Sequence, residues 1–205
     1  MIGIIDYGLS NITCVKAAVE YLGHKVRIIK HPFEIDIVEK VILPGVGAYP
    51  DAIKEINQKN LIPPLEDNVL KKKKPFLGIC LGAQLICKSS NEYGFNKGFG
   101  WINAEVRKIN FINKNLRIPH TGWNNIEFEK KDLILKEIKK ESLFYFTHSY
   151  AIFEEKEKHT LAYCDHQEKF SAILKYKNIY ATQFHPEKSQ KYGLRLLLNF
   201  LNIKC

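Results

Sequence analysis

Short apolar runs alternate with amphipathic stretches through the first half of the chain. Gly3–Asp6, Val26–Ile29, Val41–Leu43 and Phe76–Ile79 are brief, largely apolar and bounded by turn residues, the pattern of strands buried on both faces. Between them, apolar positions recur at helical spacing. Val15, Ala18, Val19 and Leu22 share one face of a helix that Ser10 or Asn11 is expected to cap and Gly23 to stop. A second helix is predicted from Ala48 to about Gln58, and Pro63-Pro64 restarts a third that fades into Lys71–Lys74. A fourth leaves the Phe76–Ile79 strand, from Leu81 to about Lys88. The second half is richer in strands: 102–109, 124–128, 143–150, 160–164, 170–176 and 179–184, before a last helix from Gln190 to about Leu201. Strands joined by helices predict an α/β architecture, a mostly parallel central sheet with helices on both faces. No repeat or linker interrupts it.

Charge is the one unusual number in the composition. The 205 residues carry 31 Lys and Arg against 22 Asp and Glu, a formal charge of +9. Only Arg27, Arg107, Arg117 and Arg195 are arginines, and the lysines are scattered apart from Lys71–Lys74. Arginine is the better bidentate reader of phosphates and bases, so the excess reads as a solvated lysine-rich surface or a face for an acidic partner, and no nucleic acid is expected. The 45% hydrophobic content excludes a disordered or collagen-like chain. No apolar stretch approaches the roughly 18 residues of a membrane span, and no basic leader precedes the first strand. No membrane association and a cytoplasmic location are therefore expected. Cys14, Cys80, Cys87, Cys164 and Cys205 form no C-x-x-C pair. A disulfide framework and a metal site have no support in that spacing.

Three segments carry candidate chemistry. Gly78-Ile79-Cys80-Leu81-Gly82 is a G-x-C-x-G at a predicted strand-to-helix junction, the cysteine form of a nucleophile elbow, where small neighbours permit a tight turn. A helix N-terminus there favours a thiolate and leaves backbone N–H groups free for an oxyanion. The same five residues also describe a buried cysteine between packing glycines. Gln183-Phe184-His185-Pro186-Glu187 follows an apolar strand. In extended backbone His185 and Glu187 project the same way, so Glu187 is placed to hold the imidazole and His185 to act as general base towards Cys80. A loop histidine beside a surface carboxylate has the same spacing. Leu43-Pro44-Gly45-Val46-Gly47-Ala48 ends the third strand and lacks the Lys-Ser/Thr of a phosphate-binding loop. It is either a ligand-facing turn or an ordinary glycine-rich one.

Taken in order, Pro44–Gly47, Leu77–Leu85, Thr147-His148-Ser149-Tyr150 and Gln183–Ser189 resemble the signatures of the class I, triad-type glutamine amidotransferases. Asp6-Tyr7-Gly8 and Pro119–Asn124 resemble, within that family, the glutaminase subunits of histidine biosynthesis. The resemblance spans essentially the whole chain and implies a flavodoxin-like fold with extra antiparallel strands in the C-terminal half, as one domain over 1–205. It implies that Cys80, His185 and Glu187 are catalytic, with Cys80 forming a thioester with L-glutamine. It implies an oxyanion site from Leu81 N–H and a rearranged turn N–H (Val46 or Gly47). Glutamine is then held by Gly45, Gly47, Gln84, Glu92, Ser149 and Tyr150. The resemblance further implies that ammonia passes to a separate (β/α)₈-barrel cyclase subunit, near Asn11, Trp123, Tyr145, His148 and Lys188. No cofactor is implied. Trp123 reads from sequence as an interface anchor or equally as a core tryptophan.

Ser10, Ala83, Thr121 and Trp101 depart from the residues usual in that family and are expected near the elbow and the partner face. They leave open a paralogue that supplies ammonia for amidination of a surface sugar. A stand-alone cysteine hydrolase on a similar sheet and a non-catalytic binding protein are the rival classes.

Overall fold

The apolar runs of the first half become parallel strands in the computed structural model, which describes residues 1–112, 116–154, 156 and 158–203. Cys205 lies outside the described residues. The chain forms β1 (Ile2–Ile5), α1 (Ile12–Tyr21), β2 (Val26–Ile29), β3 (Lys40–Gly45), α2 (Tyr49–Gln58), α3 (Ile62–Glu66) and β4 (Phe76–Cys80). A short helix α4 (Leu81–Leu85) follows, then β5 (Cys87–Ser90), β6 (Asn96–Lys97), β7 (Ile102–Lys108), β8 (His120–Asn125) and β9 (Glu127–Phe128). The remainder is β10 (Leu143–His148), β11 (Tyr150–Phe153), β12 (Thr160–His166), β13 (Glu168–Tyr176), β14 (Ile179–Thr182) and α5 (Gln190–Leu201). The main sheet runs β2-β1-β3-β4-β14-β13-β11-β7-β5-β6, with β12 also on β13, while β8 and β10 pair separately. Its first five strands are parallel, and β13, β11 and β12 extend it antiparallel. Val15 and Val19 of α1 and Leu196, Leu197 and Phe200 of α5 cover one face. Tyr49, Ala52 and Ile56 of α2 and Leu65 of α3 cover the other.

Four boundaries differ from the pattern reading, three of them through long-range pairing. The helix expected to reach Lys88 ends at Leu85, because the Phe99–Ile102 segment takes the carbonyls of Leu85, Ile86 and Cys87. Cys87–Ser90 instead pairs with β7 and β6. The segment 143–150 divides at Ser149: β10 pairs with β8, and β11 with β7 and β13. The strand expected from Asn124 starts at His120. The helix restarted at Pro63-Pro64 widens into a π turn over Asp67–Lys71. Asn11 stands at the N-cap of α1, but no side-chain hydrogen bond caps the helix.

Candidate active site

Adjacent parallel strands end together, and this places the chemistry. Gly45 at the end of β3 is in register with Cys80 at the end of β4. Thr182, the last residue of β14, is in register with Ile79, so Gln183 and His185 emerge beside Cys80. Ligands of open α/β sheets bind at such carboxyl ends. A cavity of about 340 Å³ opens there, lined among others by Val46, Gly47, Cys80, Gln84, Tyr150 and His185. That volume suits a small metabolite.

The elbow is a strained turn. Cys80 has φ +52° and ψ −109°, a conformation that a side-chain-bearing residue keeps only when its surroundings impose it. The glycines on either side impose it by close approach: a Cβ on Gly78 would lie 2.8 Å from the Ala83 Cα, and one on Gly82 only 1.8 Å from the Leu43 oxygen. The cysteine is buried at 6% exposure, yet the elbow places it in the cavity lining. With five residues, α4 is too short for its dipole to dominate. The ionisable group that interacts with the sulfur is His185.

His185 Nδ1 lies 2.8 Å from Glu187 Oε1, with both side chains buried. The carboxylate only accepts, so the proton sits on Nδ1 and Nε2 is the working nitrogen. Nε2 is buried with no hydrogen-bond partner of normal geometry among the described residues. Burial alone pulls the imidazole down, but the charge and hydrogen bonding of Cys80, followed by Glu187, more than offset it and raise His185 to about 10. Since the value lies above the ordinary 6.5, this pairing stabilises the fold below that pH and is lost as pH rises through about 10. In Cys80→Ala, only Glu187 opposes burial, so His185 should titrate well below 10 in a nitrogen NMR titration. A value unchanged from the wild type contradicts this assignment of causes.

The remaining sequence-predicted residues divide into three groups. Gly47, Leu81, Gln84, Glu92, Ser149 and Tyr150 line the cavity, joined by Pro119 and Thr147. Glu92 accepts from Tyr49 N–H at 3.0 Å. Burial raises its carboxyl, and that hydrogen bond only partly offsets the effect. His148 is buried in the cavity wall rather than on the surface. Trp123 is 44% exposed, which settles it as a surface residue. Its ring meets Tyr145 at 5.9 Å between centroids, and Lys188 Nζ lies 5.8 Å from the Tyr145 ring centre. Asn11 is half-buried at the start of α1.

Of the family departures, expected near the elbow and the partner face, Trp101 lies in the core. It is buried against Phe76 and Phe99, with centroids 5.2 Å away in each case. Ala83 is core beneath the elbow, and Thr121 is exposed on β8. One residue of the site, Gln183, has no role assigned by the motif reading although it opens the Gln183–Ser189 segment. Gln183 is fully buried, and its Nε2 lies 3.9 Å from Cys80 Sγ. Its signal is positional: it sits two residues before His185 on the same extended segment. Val46 N–H donates to the Leu9 carbonyl at 3.0 Å, so this N–H is engaged outside the cavity.

The family model for glutamine amidotransferase class-I matches residues 3–203. The chain is 42% identical over 203 residues to imidazole glycerol phosphate synthase subunit HisH 1 of Campylobacter jejuni, covering 99% of this chain and 100% of the relative. It is 40% identical over 201 residues to subunit HisH 2 of Methanococcus maripaludis, with 98% of each covered. A solved structure described as a glutamine amidotransferase superposes with a TM-score of 0.76 at 18% identity, over 98% of this chain and 96% of that one. At that identity the superposition speaks for the fold alone.

Proposed function

The chain belongs to the class I glutamine amidotransferase family, and from that premise we propose that it is the glutaminase subunit of an imidazole glycerol phosphate synthase. One observation carries the reading: a cysteine in a strained elbow shares a cavity with a buried, carboxylate-held histidine and with Gln84, Glu92 and Tyr150. In this reading Cys80 Sγ attacks the side-chain amide carbon of L-glutamine while His185 holds the thiol's proton. His185 Nε2 then gives that proton to the leaving nitrogen as ammonia departs, leaving a thioester on Cys80. The imidazole next takes a proton from water, whose oxygen attacks the thioester and releases glutamate and the thiol. Glu187 fixes the tautomer throughout. Gln84 donates through Nε2 to protein acceptors, which leaves its carbonyl oxygen for the substrate.

The oxyanion forming on the amide oxygen needs donors. Leu81 N–H is one. Val46 N–H becomes a second only after it leaves the Leu9 carbonyl, and Gly47, at φ +99°, gives the turn freedom to move. A hydrolase whose useful product is ammonia wastes it in bulk water unless a partner seals the exit. The exposed Trp123, with the half-buried Tyr145 and Lys188 beside it, is suited to that contact, with a (β/α)₈-barrel cyclase as the occupant. No helix among the described residues is long and apolar enough to cross a membrane.

The test is co-purification with a cognate (β/α)₈-barrel subunit, followed by assays with each acceptor. Glutamine-dependent formation of imidazole glycerol phosphate is the expected result. Turnover of a sugar acceptor instead assigns the chain to the amidinating paralogues, and release of ammonia with no partner at all favours a stand-alone hydrolase.

A further inference from the structure

A run of hydrogen bonds leaves the cavity through the interior and reaches the partner face. His148 Nδ1 lies 2.9 Å from the Tyr150 carbonyl oxygen. A carbonyl only accepts, so the proton is on Nδ1 and Nε2 is an acceptor. His120 Nδ1, 3.3 Å from that Nε2, must then be the donor, which makes His120 Nε2 an acceptor in turn. The Asn124 amide nitrogen, 3.4 Å away, donates to it. The amide cannot be reversed, because Asn124 Oδ1 accepts Asn125 N–H at 2.9 Å while its nitrogen also donates to the Asp165 carbonyl at 3.1 Å. Every proton in this stretch has one place.

The inner end is as definite. The Tyr150 carbonyl also accepts from Gln84 Nε2 at 2.9 Å, and that nitrogen reaches Gln183 Oε1 at 3.2 Å. Gln183 Nε2 is thereby turned towards Cys80 Sγ. The two imidazoles are fixed by their surroundings. His120 is stacked between Phe146 and His166, with centroids at 4.7 and 3.9 Å, and Phe170 meets His148 edge-on at 5.0 Å. Burial first, and then neighbouring imidazoles, hold both histidines down to about 3, so they stay neutral and the donor order is preserved. At the outer end Asn124 is the residue after the exposed Trp123 on β8.

We propose that His120 is a positioning residue, and that the neutral His120–His148 pair is a relay tying the Trp123-bearing strand β8 to the Gln183 amide at Cys80 Sγ. A partner seated on Trp123 then sets the orientation of the sulfur, in keeping with the division of labour proposed above, on which this inference rests. A connected, fully satisfied chain in a low-dielectric interior moves as a unit, because displacing one member leaves the next unpaired.

The experiment compares the wild type with His120→Phe and Asn124→Leu, each as the complex with its barrel subunit. Glutamine hydrolysis is measured with and without imidazole glycerol phosphate on the barrel. The phenyl ring fits among Phe146 and Phe170 but offers His148 no donor, and Asn124→Leu cuts the relay at its partly exposed end. Stimulation by the loaded barrel should fall about tenfold in His120→Phe and about threefold in Asn124→Leu, mostly in kcat. KM for glutamine and synthesis from ammonium salts should stay within about twofold, which a general folding defect would not allow. Stimulation equal to the wild type in Asn124→Leu, or in a folded His120→Phe, overturns the relay and leaves the glutaminase reading standing. A wild-type complex that is not stimulated overturns the partner reading, and the relay with it.

Discussion

Cys80→Ala is expected to lower glutamine hydrolysis by about 10⁴-fold or more, while synthesis from added ammonium salts by the assembled enzyme continues. The size of the loss follows from geometry. Cys80 is held at φ +52°, beside a histidine whose working nitrogen has no other partner of normal geometry among the described residues, so no neighbouring side chain substitutes for the sulfur. Nucleophile and base act as one unit, and removing either is nearly as costly as removing both. Cys87 and Cys164 are no replacement: burial pushes both thiols well above the ordinary range, and neither lines the cavity. Retained ammonium-dependent synthesis separates this loss from misfolding, since the partner must still be engaged. If the variant still hydrolyses glutamine at a substantial fraction of the wild-type rate, Cys80 is not the nucleophile. Loss of both activities contradicts the separation between ammonia production and its use.

The parallel half of the sheet was legible because its strands are buried on both faces, which leaves continuous apolar runs such as Val41–Leu43 and Phe76–Ile79. The placement of Cys80, His185 and Glu187, the proposed triad, was legible for a local reason as well: a cysteine between glycines and a His-x-Glu spacing are both short-range patterns. What pattern reading missed is long-range. Cys87–Ser90 carries Lys and two Ser and becomes a strand only because distant backbone takes the carbonyls at the end of α4. Gln84 and Gln183 are 99 residues apart in sequence, and His120 and His148 are 28 apart. All four stood inside recognised motifs, yet no periodicity pairs them. The misplacement of Trp101 has the same origin, since an aromatic residue after a glycine-rich turn reads alike in a core or at a surface.

Gly82→Ala is expected to be the most destabilising of the conservative substitutions around the site. The added Cβ would lie 1.8 Å from the Leu43 carbonyl oxygen and 2.8 Å from its carbon, both backbone atoms of a central strand that cannot swing aside. Relief requires α4 to move away from β3, which separates the elbow from the Gly45–Gly47 turn that faces it across the strand ends. Overpacking of this kind should cost roughly 3 kcal/mol or more. For a chain of this length, that lowers the thermal midpoint by roughly 6–12 °C. Gly23→Ala is the control. Gly23 also has positive φ (+84°), but no atom lies within 4 Å of the new Cβ, so it should lose only about 1–2 kcal/mol from backbone strain. Thermal unfolding of the two variants beside the wild type decides the matter, and equal midpoints would mean that close approach is not what demands glycine at 82. Glutaminase activity should fall in Gly82→Ala even well below its melting temperature, because a shift of about 1 Å between nucleophile and oxyanion donors already costs on the order of a hundredfold. The glycine that closes the elbow thus constrains fold and chemistry through one contact, the approach of α4 to the Leu43 carbonyl.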